Sequence, residues 1–146
     1  MSLENIQIKL EAADTSSIGS VNALLSEIAA CLSKLITSGE TSSIDLRSLP
    51  FAPGEYTQLQ QTLGQGEVRV RIEAIDTSDV IETQYSGVWW VTHYAADQQV
   101  AAEFIEVTYV PEILKTHPAD ARRAIEALHS RLLRCTEMTA GDDHVG

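Results

Sequence analysis

Apolar and polar residues recur along this chain with two distinct periods, and the switches between them divide it into elements. From Ser20 onward, Val21, Leu24, Leu25, Ile28, Leu32, Leu35 and Ile36 return at three- and four-residue spacing, which lines them up on one side of a helix. Gly39 then stands where a helix end takes a left-handed residue. Ahead of that helix, Ile6, Ile8 and Leu10 alternate with Gln7 and Lys9, so the pattern predicts a short strand or an arm, with residues 1–17 flexible. Ile44 and Leu46 alternate with Asp45 and Arg47. Pro50 and Pro53 break the chain before a second helix over 53–63, whose stripe is Tyr56, Leu59 and Leu63.

The period then shortens to two. Val68, Val70, Ile72 and Ala74 alternate with Glu67, Arg69, Arg71 and Glu73, the pattern of a strand with one buried and one wet face. Asp76-Thr77-Ser78-Asp79 predicts a turn, and Val80 to Tyr85 a partner strand. Two strand-forming runs within residues 87–114 flank the polar break Ala96-Asp97-Gln98-Gln99, and Pro111 ends the second because it has no N–H for a sheet ladder. A last helix opens at His117-Pro118-Ala119-Asp120, with Ala121, Ile125, Leu128 and Leu132 as its stripe. Residues 137–146 are expected to be flexible. The sum is one α+β domain over 1–146. It has an antiparallel meander of four to five strands and helices packed mainly on one face, the first and last among them.

Pairing the central hairpin across Asp97 and Gln98 sets Trp89 opposite Glu106, Val91 opposite Phe104 and His93 opposite Ala102 on one face. Val88, Trp90, Thr92 and Tyr94 share the other with Val107, Ile105, Glu103 and Ala101. Both faces are apolar, whereas helices on one side can cover only one of them. Helices wrapping both faces, a homodimer, or a partner protein would each supply the second cover. In the last case Trp89 or Trp90 is the anchor, with His93 and Phe104 beside it and Glu103, Glu106 and Glu112 at the rim.

Composition narrows the partners. At 146 residues the chain can bury roughly two-thirds of its unfolded surface without disulfides or metals. Its net charge of −11 repels nucleic acid and anionic membrane surfaces, leaving proteins or neutral small molecules. Cys31 and Cys135 stand apart with no ligand-like spacing and are expected to be reduced thiols. With no basic leader and no stretch approaching the ~18 apolar residues of a membrane span, the expected compartment is the cytoplasm.

Candidate chemistry is sparse. His93 with Glu103 and Glu106 suggests a pocket for acid–base work or a small ligand, yet the hairpin register puts these side chains on opposite faces, so catalysis is not expected. His117 and His129 lack partners at metal-site spacing, Gly64-Gln65-Gly66 precedes a strand where a phosphate loop needs a helix, and Ser86-Gly87 lacks a nucleophile-elbow context. No metal, cofactor or catalytic residue is expected.

The order of motifs is more specific. Ile44-Asp45-Leu46-Arg47-Ser48-Leu49-Pro50, Leu63-Gly64-Gln65-Gly66-Glu67-Val68, Gly87-Val88-Trp89-Trp90-Val91-Thr92-His93-Tyr94, Phe104-Ile105-Glu106-Val107 and Val110-Pro111-Glu112-Ile113-Leu114 together resemble the HupH/HyaF family of hydrogenase expression proteins over about residues 21–114. The resemblance implies a cytoplasmic, chaperone-like accessory factor in nickel-iron hydrogenase maturation. Its partners would be the hydrogenase small subunit or other maturation proteins, and no catalytic residues are carried over. Many members have a further N-terminal region, so an activity housed there is expected to be missing from this chain.

Overall fold

The structure, a computed structural model, describes residues 2–143, with side chains over 20–140. The last three residues of the tail expected to be flexible lie outside the described residues. Two compact units are present, Met1–Pro111 and Glu112–Gly146. The first contains α1 (Ser2–Ser38), β1 (Ser42–Asp45), α2 (Glu55–Leu63), β2 (Arg69–Glu73), β3 (Thr77–Glu82), β4 (Val88–Tyr94) and β5 (Val100–Val107); the second contains α3 (Pro118–Asp143).

The five strands form one antiparallel sheet in the order β1-β5-β4-β3-β2. β2 to β5 are the expected meander, and β1 adds beside β5, so β1 and β2 occupy opposite edges. The chain between them carries α2. Val21, Leu24, Ile28 and Leu35 of α1 and Leu59 and Leu63 of α2 form one buried cluster with Ile44, Val88, Trp90, Ile105 and Val107. Those strand residues share one pleat face, as the partners Trp90↔Ile105 and Ile44↔Ile105 require. Each fully buried aliphatic side chain there stabilises the fold by about 1.5–3 kcal/mol relative to exposure.

Several boundaries differ from expectation for identifiable reasons. Residues 6–10 belong to α1, not to a strand or arm. Leu3, Ile6, Leu10 and Ala13 also recur at helical spacing, and the helix runs on through Gly19 into Ser20. Ser20–Ser38 is moreover long and apolar enough, by length and composition, to cross a membrane, with a mean hydropathy of 1.2, contrary to the expectation that no stretch approaches this. In the fold its stripe Val21, Leu24, Ile28 and Leu35 is buried in the sheet-side cluster. Gly39, at φ +73°, ends α1 by donating its N–H to the Leu35 carbonyl at 2.9 Å.

α2 begins at Glu55 instead of Pro53 because Gly54 sits at φ +88°. The Glu55 carboxylate accepts the Ala52 N–H at 3.0 Å and the Ser20 hydroxyl at 3.4 Å, which ties the two helices together. Thr77, Ser78 and Asp79 form ladder pairs with Glu73, Ile72 and Arg71, so the turn contracts to residues 74–76. Their polar composition alone points to a turn. The central hairpin follows the expected register from Val88↔Val107 to His93↔Ala102, then shifts at Tyr94↔Val100. Its loop therefore spans 95–99, with Gln98 at φ +68°. In the second unit, the α3 stripe expected to be buried on the sheet is exposed, with Ile125 at 53%, Leu128 at 60% and Leu132 at 63%.

Candidate functional site

The two tryptophans do not form an exposed anchor. Trp89 is 5% and Trp90 8% exposed within this single chain, so the expected uncovered indole is absent. Trp90 lies on the helix side, where Tyr56 from the start of α2 meets it edge-on at 5.6 Å. Trp89 points the other way, and its indole N–H donates to the Thr108 carbonyl at 3.0 Å, just past the end of β5. Each ring is thus enclosed and has its polar atom satisfied.

The remaining sequence-derived site residues separate by pleat. His93, Phe104 and Glu106 lie on the Trp89 face, where His93 Nδ1 is 2.8 Å from the Ser78 hydroxyl and its ring meets Phe104 edge-on at 6.0 Å. Glu103 lies on the Trp90 face. A pocket combining His93, Glu103 and Glu106 is therefore not formed, because residues on opposite pleat faces cannot converge.

Glu103 instead organises a different site. It is 6% exposed. Its Oε2 accepts the Trp90 indole N–H at 3.0 Å and the Thr92 hydroxyl at 3.1 Å, and its Oε1 accepts the Tyr56 hydroxyl at 2.6 Å. One carboxylate on β5 thereby joins β4 to α2. Beside it opens a cleft of about 280 Å³, bounded by Tyr56 and Gln60 of α2, Asp79 and Ile81 of β3, Trp90, Thr92 and Tyr94 of β4, and Glu103.

The cleft is acidic and aromatic. Burial, reinforced by the hydrogen bond to Glu103 and its charge, pushes the Tyr56 phenol well above the usual tyrosine range. Burial also raises Tyr94; the Asp79 carboxylate beside it adds to the effect, and Arg71 opposes it. Both phenols are therefore neutral donors at physiological pH. This arrangement can hold a ligand by hydrogen bonds, ring faces and negative charge. Among the described residues, no group of three or more His, Cys, Asp or Glu is placed to hold a metal ion.

Sequence reasoning counted Glu103 as a rim or acid–base residue and passed over Tyr56, Asp79 and Tyr94 as site residues. The hairpin register did hold the missing signal. It places Glu103 beside Trp90 and Thr92 on the helix-covered face, where a carboxylate needs donors. The α2 stripe offers Tyr56 as the nearest phenol.

Comparison with known proteins agrees with this architecture. The solved structure of hydrogenase expression protein HupH from Thiobacillus denitrificans ATCC 25259 superposes with a TM-score of 0.76 at 42% identity, covering 80% of this chain and 97% of that one. Hydrogenase expression/formation protein HupQ of Azotobacter chroococcum mcd 1 is 30% identical over 101 residues, which are 68% of this chain and 35% of that protein. Hydrogenase expression/formation protein HoxQ of Azotobacter vinelandii is 35% identical over 57 residues, 39% of this chain and 20% of that protein. The matches thus span about a third or less of the length of these two relatives. The HupH hydrogenase expression protein C-terminal conserved region matches residues 18–135, and by that match the chain belongs to the HupH family.

Proposed function

We propose that this chain is a cytoplasmic accessory factor in nickel-iron hydrogenase expression and maturation. It acts by holding a hydrogenase small-subunit precursor, or another maturation protein, without converting it chemically. The observation that carries this reading is the likeness to the HupH structure, 42% identical over nearly all of that chain. The net charge of −11 favours a protein partner over nucleic acid or anionic lipid. On this reading, half-buried His93 and Phe104, together with Glu106, contribute partner contacts on the Trp89 face. The buried tryptophans Trp89 and Trp90 hold that surface and the Glu103 cleft in shape.

Affinity capture with purified components tests this. The immobilised chain is expected to retain a hydrogenase small-subunit precursor or a hydrogenase maturation protein, and Phe104→Ala with His93→Ala is expected to weaken retention. Failure to retain any hydrogenase subunit precursor or maturation protein would contradict it.

A further inference from the structure

The cleft beside Glu103 has a chemical character that the family assignment does not specify. Two carboxylates, Asp79 and Glu103, border it together with the rings of Tyr56, Trp90 and Tyr94, and none of the described residues lining it is Lys, Arg or His. Glu103 is buried and bonded only to neutral donors, and none of the ion pairs among the described residues includes it. Its charge is thus hydrogen-bonded but, among the described residues, has no cation in an ion pair with it. Two of the three bonds meet Oε2 and only one meets Oε1, so Oε1 keeps acceptor capacity for a further donor. Asp79 accepts a hydrogen bond from the Tyr94 phenol, and its one ion pair among the described residues is with the Arg71 guanidinium, 3.9 Å away on a side chain that is 56% exposed. Such an exposed pair is weak, and a carboxylate with one phenol donor keeps acceptor capacity for another.

From this geometry we infer that the cleft is a binding site for a single guanidinium or ammonium group on a slim alkyl stem. The positive head would reach toward Glu103 Oε1 and Asp79, with the stem against the aromatic rings. Ring faces attract cations, and carboxylates pair with guanidinium groups through charge-assisted hydrogen bonds. The size fits one side chain or a similar fragment. Its volume of about 280 Å³ lies near the lower limit of small-molecule pockets, roughly 300 Å³. The head group can come from a basic residue of a partner polypeptide or from a free amine or guanidine metabolite. The chemistry is the same in both, and it does not depend on which maturation protein binds.

Titration followed by Trp90 fluorescence and amide chemical shifts distinguishes these sources. The probes are a short peptide with one central arginine, the same peptide with citrulline in its place, and free arginine and agmatine. Saturable binding of at least one cationic probe is expected, with the citrulline peptide at least tenfold weaker. Tighter binding of the arginine peptide than of the free compounds would identify a polypeptide source, and the reverse order a metabolite. Asp79→Asn, at the cleft edge, should weaken the preferred cation several-fold while the melting curve stays close to wild type. Glu103→Gln should weaken it about tenfold. Equal binding of the arginine and citrulline peptides, or no binding of any cationic probe at millimolar concentration by a folded protein, would overturn the inference. Capture of a hydrogenase precursor is a separate readout, so it can fail while cation binding holds, and the reverse.

Discussion

Replacing Glu103 with leucine is the perturbation that bears hardest on the site. The substitution keeps an apolar stem on β5 but removes the acceptor for three donors. Trp90 and Thr92 are buried, so their indole N–H and hydroxyl cannot turn to water. A buried donor left unpaired costs about 1–3 kcal/mol, giving roughly 2–6 kcal/mol for the two. Tyr56 is only partly buried, so its hydroxyl can turn to water and adds little. Relief of the buried charge offsets part of the sum, leaving an expected loss of about 2–4 kcal/mol. For a chain of this size that is a fall in Tm of roughly 4–16 °C. Glu103→Gln keeps one carbonyl oxygen for Trp90 and Thr92, and its amide can donate to the Tyr56 hydroxyl, so its cost should be about 1 kcal/mol. The assay is urea and thermal unfolding of both variants, followed by circular dichroism. A Glu103→Leu protein as stable as wild type would refute the assignment of Glu103 as the tie between hairpin and helix.

Three further outcomes follow from the same structure. The neutral Tyr56 phenol donates to Glu103, and its folded-state pKa lies above the ordinary value of 10.0, so the stability it contributes is complete below pH 10 and lost as the pH rises further. Tm should hold through mildly alkaline pH and then fall, and Tyr56→Phe should flatten that fall; an unchanged alkaline limb in the variant would count against the Tyr56–Glu103 bond. A Cβ at Gly66 would lie 2.5 Å from the Thr83 carbonyl oxygen, so Gly66→Ala should cost about 1–3 kcal/mol in urea unfolding, and a neutral result would mean the strand approach is looser than described. Leu59, fully buried under the sheet cluster, should lose about 2–5 kcal/mol on Leu59→Ala in the same assay.

Much of the fold was legible because it rests on simple periodicity. The hairpin register followed from two strand-forming runs around a polar break, and it correctly divided Trp89 and His93 from Trp90 and Glu103. The sequence could not show how each indole would be covered. Trp90 is met by Tyr56 from a helix some thirty residues upstream, and Trp89 is capped by a carbonyl just beyond its partner strand. Both are long-range pairings that leave no local pattern. Asp79 reads as a turn residue because polar composition cannot distinguish a turn from an interior strand whose polar groups find partners. Reading Ile6 to Leu10 as a possible strand has a related origin, since Ile6, Ile8 and Leu10 satisfy one period while Leu3, Ile6, Leu10 and Ala13 satisfy the other.

The claim on which the site depends is that both indoles are sealed inside one chain, so that any partner meets other residues. Quenching of tryptophan fluorescence by acrylamide in the free monomer, with Trp89→Phe and Trp90→Phe to separate the two signals, tests it directly. Blue-shifted emission and weak quenching from each remaining tryptophan are the results this account requires. Ready quenching of either one, as for a solvent-exposed ring, would contradict it.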